Sequence, residues 1–286
     1  VNSNSEKPAT SPERAPAPAM PAATVTIVRD TTGGIEVLMM RRNLKSGFVP
    51  GMYVFPGGGL DDADLLFKNN GLCNCLDDVA ASGVLGMAAD GLAYWAAAIR
   101  EAFEESGLLL ARDNAGRMIT LTDAQVAARF DAHRRQLNAG EIDFAALIAT
   151  EGLQLAADQL TYFAHWITPV TAPRRYDTRF FMAEAPPEQE PFHDDHETIA
   201  ATWISPAGAL TLHKRGEFEM RTPTVRTLET FADCNDVASL RRSLDSIQGN
   251  VRPLMPRIGK DGRRYLPGEP GYEEAGTKEG AGQWQN

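Results

Sequence analysis

One short stretch constrains this chain more than any other: Arg100-Glu101-Ala102-Phe103-Glu104-Glu105-Ser106-Gly107-Leu108. At helical spacing Glu101, Glu104 and Glu105 fall at i, i+3 and i+4, so their carboxylates share one face. Trp95, Ile99, Ala102 and Phe103 recur on the other side and give the segment an apolar face to bury. Each like-charge pair costs a helix roughly 0.2–0.5 kcal/mol. A helix carrying three such carboxylates is therefore paired with basic groups or built to hold a cation. The nearest basic residue is Arg100, a single positive charge, so the cluster reads as a site for a hard divalent metal. Gly107 is expected at the carboxyl end of the helix, as its cap.

The remainder of the chain can supply a core for such a helix. Hydrophobic residues make up 43% and charged residues 23% of its 286 positions, ordinary values for a globular protein. A net charge of −10 argues against general binding to nucleic acid or anionic membranes. No apolar run approaches the ~18–20 residues of a membrane-spanning helix. No signal-peptide pattern is present, and Cys73, Cys75 and Cys234 are an odd number at no disulfide or zinc spacing. The expectation is a reduced, cytoplasmic compartment.

Residues 1–23 are rich in Pro, Ala and Ser and are expected to form a disordered tail. Order is expected from Thr24: a hairpin of Val25–Val28 and Ile35–Met40 about Gly33-Gly34, ending in Arg41-Arg42. Strand alternation sends those two arginines to opposite faces. A short strand, Met52–Phe55, runs into Pro56-Gly57-Gly58-Gly59. Three glycines there mean either positive φ or a close approach by something else. Asp61, Asp62 and Asp64 follow. A mixed insertion at about 65–90 holds the Cys73/Cys75 pair, read as structural or incidental because two thiols without a nearby His make a poor metal site. Helix is expected from about Met87 to Leu110, then over Ala124–Leu137 and Phe144–Ala149. Strands follow at Leu160–Ile167 and Thr178–Met182.

Arg174, Arg175 and Arg179 stand at a loop-to-strand junction, where arginines are either plain surface charge or the grip on a phosphorylated substrate. Pro186–Pro191 reads as a surface loop, and His193-Asp194-Asp195-His196-Glu197 follows. Consecutive loop residues cannot all converge on one ion, so that run makes a poor transition-metal site. Later helices are expected from Pro206, Thr222 and Leu240, with an extended tail after Asn250 that wraps near Tyr265 and Leu266. Strands on either side of a carboxylate helix, with more helices behind them, imply an α/β fold whose mixed sheet is sandwiched by helices.

The strand, glycine-rich loop and acidic helix together resemble the Nudix hydrolase family, whose signature is G-x5-E-x7-R-E-U-x-E-E-x-G-U with U bulky and aliphatic. Arg100, Glu101, Glu104, Glu105, Gly107 and Leu108 meet its second half, with Ala102 small for the first U. Gly58 and, six positions on, Asp64 meet the first half, with Asp in place of Glu. Far more than seven residues separate Asp64 from Arg100. That insertion, and the Arg174-Arg175-Tyr176-Asp177-Thr178 run, are similar to the branch that includes the peroxisomal coenzyme-A diphosphatases. The chain ends Trp284-Gln285-Asn286 rather than in the peroxisomal S-K-L address, so a cytosolic relative is the expectation.

The resemblance implies a Nudix-type α/β/α sandwich with a mixed β-sheet and a helical insertion, its domain running over 24–231, before a C-terminal helix and tail over 232–286. It implies a metal-dependent pyrophosphohydrolase acting on a nucleoside diphosphate linked to another moiety, with coenzyme A or a relative as the first choice. Glu101, Glu104 and Glu105 would hold Mg2+ or Mn2+. Arg100 would brace the loop through Asp64, the shorter Asp weakening the brace or drawing the loop closer. Glu105 is the first choice of general base and Glu197 its rival. Arg41, Arg42, Arg174, Arg175, Arg179 and Gly58 are the candidates for substrate contact. The partner implied is a small nucleotide-diphosphate molecule, not nucleic acid or membrane, and the helical insertion offers a surface for a homodimer. The alternative is a catalytically weak Nudix-fold module that binds a nucleotide as a sensor, suggested by Asp64 and the long insertion.

Overall fold

The computed structural model describes residues 16–44, 50–192 and 198–275. Its centre is an eight-stranded mixed sheet. The long strand β1 (Ala19–Thr31) runs antiparallel to β2 (Gly34–Arg42), the two joined by a tight turn. The pair diverges past Val28 and Val37, and two short strands line the gap: β3 (Tyr53–Val54) on β2 and β4 (Gly57–Gly59) on β1. Helices α1 (Asp78–Leu85) and α2 (Leu92–Ser106) come next, then the small pair β5 (Ala111–Arg112) and β6 (Gln154–Leu155), which bracket α3 (Ala124–Asn138) and α4 (Phe144–Thr150). Strands β7 (Leu160–Ile167) and β8 (Arg175–Glu184) are antiparallel to each other, and β8 lies parallel to β1. The sheet is extended by β9 (Thr198–Ile204) on the outer side of β2, and by β10 (Pro253–Leu254) on β7.

Alternation along the strands builds two cores. Ala23, Val25, Ile27, Leu38, Met40, Phe181 and Ala183 face α2, α3 and α4. Val28, Val37, Met39, Phe180 and Met182 face the other layer: α5 (Pro206–Lys214), α6 (Thr222–Phe231) and α7 (Val237–Asp245). The result is the α/β/α sandwich expected of the sequence. Trp95 of α2 packs on Phe181 of β8 with ring centroids 4.7 Å apart, fixing the helix over the sheet centre. Among the described residues no helix is long and apolar enough to cross a membrane.

Several expectations are corrected. Regular structure starts at Ala19, not Thr24, because the edge of β8 offers ladder partners as far back as the Ala19–Arg175 pairing. The glycine run is a strand rather than a loop, and none of Gly57, Gly58 and Gly59 has positive φ, which leaves the close approach. Helix α2 starts at Leu92, five residues later than expected, because Gly86 ends α1 in the left-handed conformation. That helix is also buried on almost every side, not on one face. The small side chains Ala96, Ala97 and Ala98 let the sheet and neighbouring helices close around it.

The insertion between Asp64 and Arg100 is folded onto this helix. A 3-10 helix, Asp62–Lys68, packs against α2, and Lys68 reaches Asp90 at 2.6 Å. Asp78, in the first turn of α1, accepts from the N–H groups of Asp90 and Leu92, both at 3.0 Å. A carboxylate supplied by the insertion thus satisfies the exposed donors at the start of α2 and complements its dipole. Gly107 ends the helix at φ +73°, as expected, its N–H donating to the Phe103 carbonyl.

Candidate active site

The last turns of α2 lie against β4, and the three glycines meet three consecutive functions of the helix. The Gly59 carbonyl accepts from Arg100 Nη2 at 2.8 Å. A Cβ on Gly58 would stand 2.4 Å from Glu101 Oε1. The Gly57 N–H donates to Glu105 Oε2 at 3.3 Å. The constraint at position 58 is close approach by the mobile end of the Glu101 side chain, not backbone conformation.

Arg100, 3% exposed, uses all five of its N–H donors. Nε and Nη2 grip Asp64 Oδ1 and Oδ2 at 3.0 and 2.9 Å, Nη2 also reaches Gly59, and Nη1 bonds Glu101 Oε1 and Glu104 Oε2 at 2.9 and 3.0 Å. The brace expected between Arg100 and Asp64 is therefore present and two-pronged. The shorter Asp reaches because its 3-10 helix begins at once after β4, with Asp64 Oδ2 also accepting from the Asp61 N–H at 2.8 Å.

Among the described residues, carboxylates outnumber guanidiniums here. Asp61, Asp64, Glu101, Glu104 and Glu105 are answered by Arg100 and by Arg42, whose Nη1 lies 3.9 Å from Glu105 Oε1. Burial accordingly pushes the Glu104 carboxyl up to about 7, against the pull of Arg100. Asp64, with no exposed surface, is also raised by burial. Among the described residues no group of three or more His, Cys, Asp or Glu converges as a ready metal cage. The reason is visible: Glu101 and Glu104 are turned onto Arg100, and Glu105 onto Gly57 and Arg42. The donor set still suits a hard divalent cation, since it is all carboxylate oxygen, gathered at the end of one helix.

The expected substrate arginines scatter. Arg42 reaches the carboxylate cluster, whereas Arg41 on the opposite face of β2 lies toward the Gly51 carbonyl and the ring of Tyr53. Arg174 is exposed. Arg175 donates to the carbonyls of Thr168 and Ala17, at 3.1 and 2.7 Å, and so holds backbone together. Arg179 is buried with Asp177 and His165 under the ring of Tyr94. It pairs in register with Ala23, which pairs with Gly58 on its other side. Two ladder steps place it roughly 10 Å from Gly58. Glu197, with His193 to His196, lies outside the described residues.

Two contributors escaped the sequence reading. Pro186–Pro191 is not a plain surface loop: Gln189 is buried, its Oε1 accepting from Leu109 N–H at 2.9 Å and its Nε2 donating to the carbonyls of Leu109 and Ile119. Phe192, next along, packs over Gly107 and under the guanidinium of Arg134, which donates to the Glu104 carbonyl at 3.1 Å. Glutamine in a Pro/Glu-rich run carries no periodic signal that would announce such burial.

A family model described as the NUDT19 Nudix domain matches residues 80–230, more than half of the chain. The chain belongs to this family. It is a Nudix hydrolase, an enzyme acting on diphosphate (phosphoric anhydride) bonds. The acyl-coenzyme A diphosphatase NUDT19 of Xenopus laevis is 28% identical over 282 residues, covering 86% of this chain and 73% of its own. The Homo sapiens protein of the same description is 27% identical over 282 residues, covering 84% and 73%. The crystal structure of a Nudix hydrolase from Alicyclobacillus acidocaldarius superposes with a TM-score of 0.65 at 28% identity, over 82% of this chain and 97% of that one. The matched span includes α2 whole, and leaves β4 and Asp64 to be joined to it by geometry.

Proposed function

We propose that this Nudix hydrolase is a divalent-metal-dependent diphosphatase that cleaves coenzyme A or a close relative of it. The observation that carries the reading is the Arg100 clamp. One buried guanidinium ties Asp64 and Gly59 to Glu101 and Glu104, bringing the glycine strand and the acidic helix into one site. The similarity to acyl-coenzyme A diphosphatases of Xenopus laevis and Homo sapiens supports the choice of substrate.

Glu101, Glu104 and Glu105 are the residues proposed to hold Mg2+ or Mn2+. When bound, such a cation neutralises diphosphate charge and favours in-line attack by water. The chain supplies the rest. A water oxygen attacks one phosphorus as the anhydride P–O bond opposite it breaks, and Glu105 takes the water proton. Arg42, beside Glu105, balances charge on the phosphates. Gly58 leaves the room in which Glu101 sits. Arg100 is a positioning residue, since its donors are spent on protein acceptors. The weak sensor module is not favoured, because Asp64 reaches Arg100 with both of its oxygens.

The test is a panel of coenzyme A, ADP-ribose, dinucleoside polyphosphates and NADH, each with Mg2+ and with Mn2+. Coenzyme A is expected to yield phosphopantetheine and adenosine bisphosphate, faster than any other member is cleaved. Preference for another member would reject the substrate, and cleavage of none would reject the reading whole.

A further inference from the structure

Cys73 and Cys75 play no part in the hydrolase site, yet their Sγ atoms lie 3.9 Å apart. Cys73 is buried in the core beside α2, whereas Cys75 is exposed. The segment is fixed from both sides on β6: the Leu155 N–H donates to the Leu72 carbonyl at 2.8 Å, and the Cys75 thiol to the Leu155 carbonyl at 3.3 Å. Arg112, paired in register with Gln154, and the Asp158 carboxylate it bonds both lie beside Cys75, and Asp158 works against ionisation of that thiol. The pair is polarised: the hydrogen bond from Cys73 holds the Cys75 thiol down at about 7, and the same bond with burial pushes Cys73 up. An exposed sulfur that ionises more readily, with a buried thiol behind it, supplies the two parts of a redox couple.

Competing roles fit less well. A disulfide across three residues closes so small a loop that it constrains the unfolded chain little, which argues against a structural staple. Among the described residues no third His, Cys, Asp or Glu joins the two sulfurs in a metal-holding group.

We propose that Cys73 and Cys75 form a peroxide-reactive dithiol, with Cys75 as the attacking sulfur and Cys73 as the resolving one. The Cys75 thiolate attacks a peroxide oxygen, the O–O bond breaks, and hydroxide leaves and takes a proton from solvent to become water, giving a sulfenic acid. The Cys73 sulfur then attacks Cys75, the S–O bond breaks, and a second water carries off the Cys73 proton. Two thiols give up two electrons and the peroxide oxygens accept them.

The full chain is treated with hydrogen peroxide, alkylated and mapped by mass spectrometry. The expected product is loss of two hydrogen atoms within the tryptic peptide 69–100, reversed by dithiothreitol, while Cys234 remains alkylatable. Cys234 is the internal control, its thiol raised by burial and the neighbouring Asp233 and Asp236. Cys75→Ser is expected to leave Cys73 reduced at a dose that oxidises wild type, and Cys73→Ala to stop Cys75 at a sulfenic acid trapped by dimedone. Oxidation of Cys234 as fast as Cys75, or sulfinic acid at Cys75 with Cys73 still alkylatable, overturns the proposal. The wild-type map decides even where the Cys73 variant does not fold.

Discussion

Arg100 and Asp64, 36 residues apart in sequence, meet through two parallel hydrogen bonds of 3.0 and 2.9 Å in a site closed to solvent. Removing Asp64 leaves two buried donors of Arg100 without their acceptors while Glu101, Glu104 and the Gly59 carbonyl still hold the guanidinium, which costs about 1–3 kcal/mol. Asp64→Ala is expected to lose that much stability in urea denaturation. Asp64→Glu adds a methylene where there is no free surface and is expected to cost about 1–3 kcal/mol by overpacking. An Asp64→Glu protein more stable than wild type would show that the loop is not fitted to the shorter acid.

Gly58 tests the approach of strand to helix. Its φ is ordinary, so alanine there brings no backbone strain, only a Cβ 2.4 Å from Glu101 Oε1. The flexible carboxylate must move, and the fold need not. Gly58→Ala is expected to lower kcat at least about tenfold, or ~1.4 kcal/mol in the barrier, with a melting temperature close to wild type. An unchanged kcat would separate Glu101 from the chemistry.

What was legible in the sequence follows from how far each signal reaches. The acidic helix, its Gly107 cap and the alternating strands rest on local periodicity, and each is found close to its expected place. The role of β4 was not legible, since a glycine triplet in a paired strand reads as a loop until Ala22, Ala23 and Thr24 are known to lie beside it. Nor was the capping of α2 by Asp78, which depends on the insertion folding back. The arginines show the same limit: Arg42 and Arg175 are alike in sequence, but one reaches Glu105 and the other holds the Thr168 and Ala17 carbonyls.

Gln189 ties the loop before Phe192 to the segment after α2 through three hydrogen bonds to backbone. Truncation to alanine leaves the buried Leu109 N–H without its acceptor, which alone costs roughly 1–3 kcal/mol. Gln189→Ala is expected to lose stability in that range and to raise amide hydrogen exchange at Leu109. Gln189→Glu keeps the acceptor but turns the donor on two carbonyls into an oxygen, and is expected to be no better. Exchange at Leu109 unchanged in both variants would count against this bridge.

Glu104 sets stability against activity. Burial raises its folded pKa to about 7, above the ordinary carboxylate value near 4.3. The sign follows from linkage: the favourable contribution is complete below about 4.3 and is lost as pH rises through about 7. Metal-free wild type is therefore expected to lose melting temperature between those values. Glu104→Gln, which has no proton to release there and can still accept from Arg100, is expected to lose less and to be at least as stable at pH 8. The same variant with saturating Mg2+ or Mn2+ is expected to lose at least about a hundredfold in kcat, ~2.7 kcal/mol in the barrier, if its carboxylate holds the cation. Thermal melts across pH without metal, and kcat against metal concentration, read the two effects separately. Wild-type turnover in the variant would remove Glu104 from the proposed metal ligands, whatever the melts show.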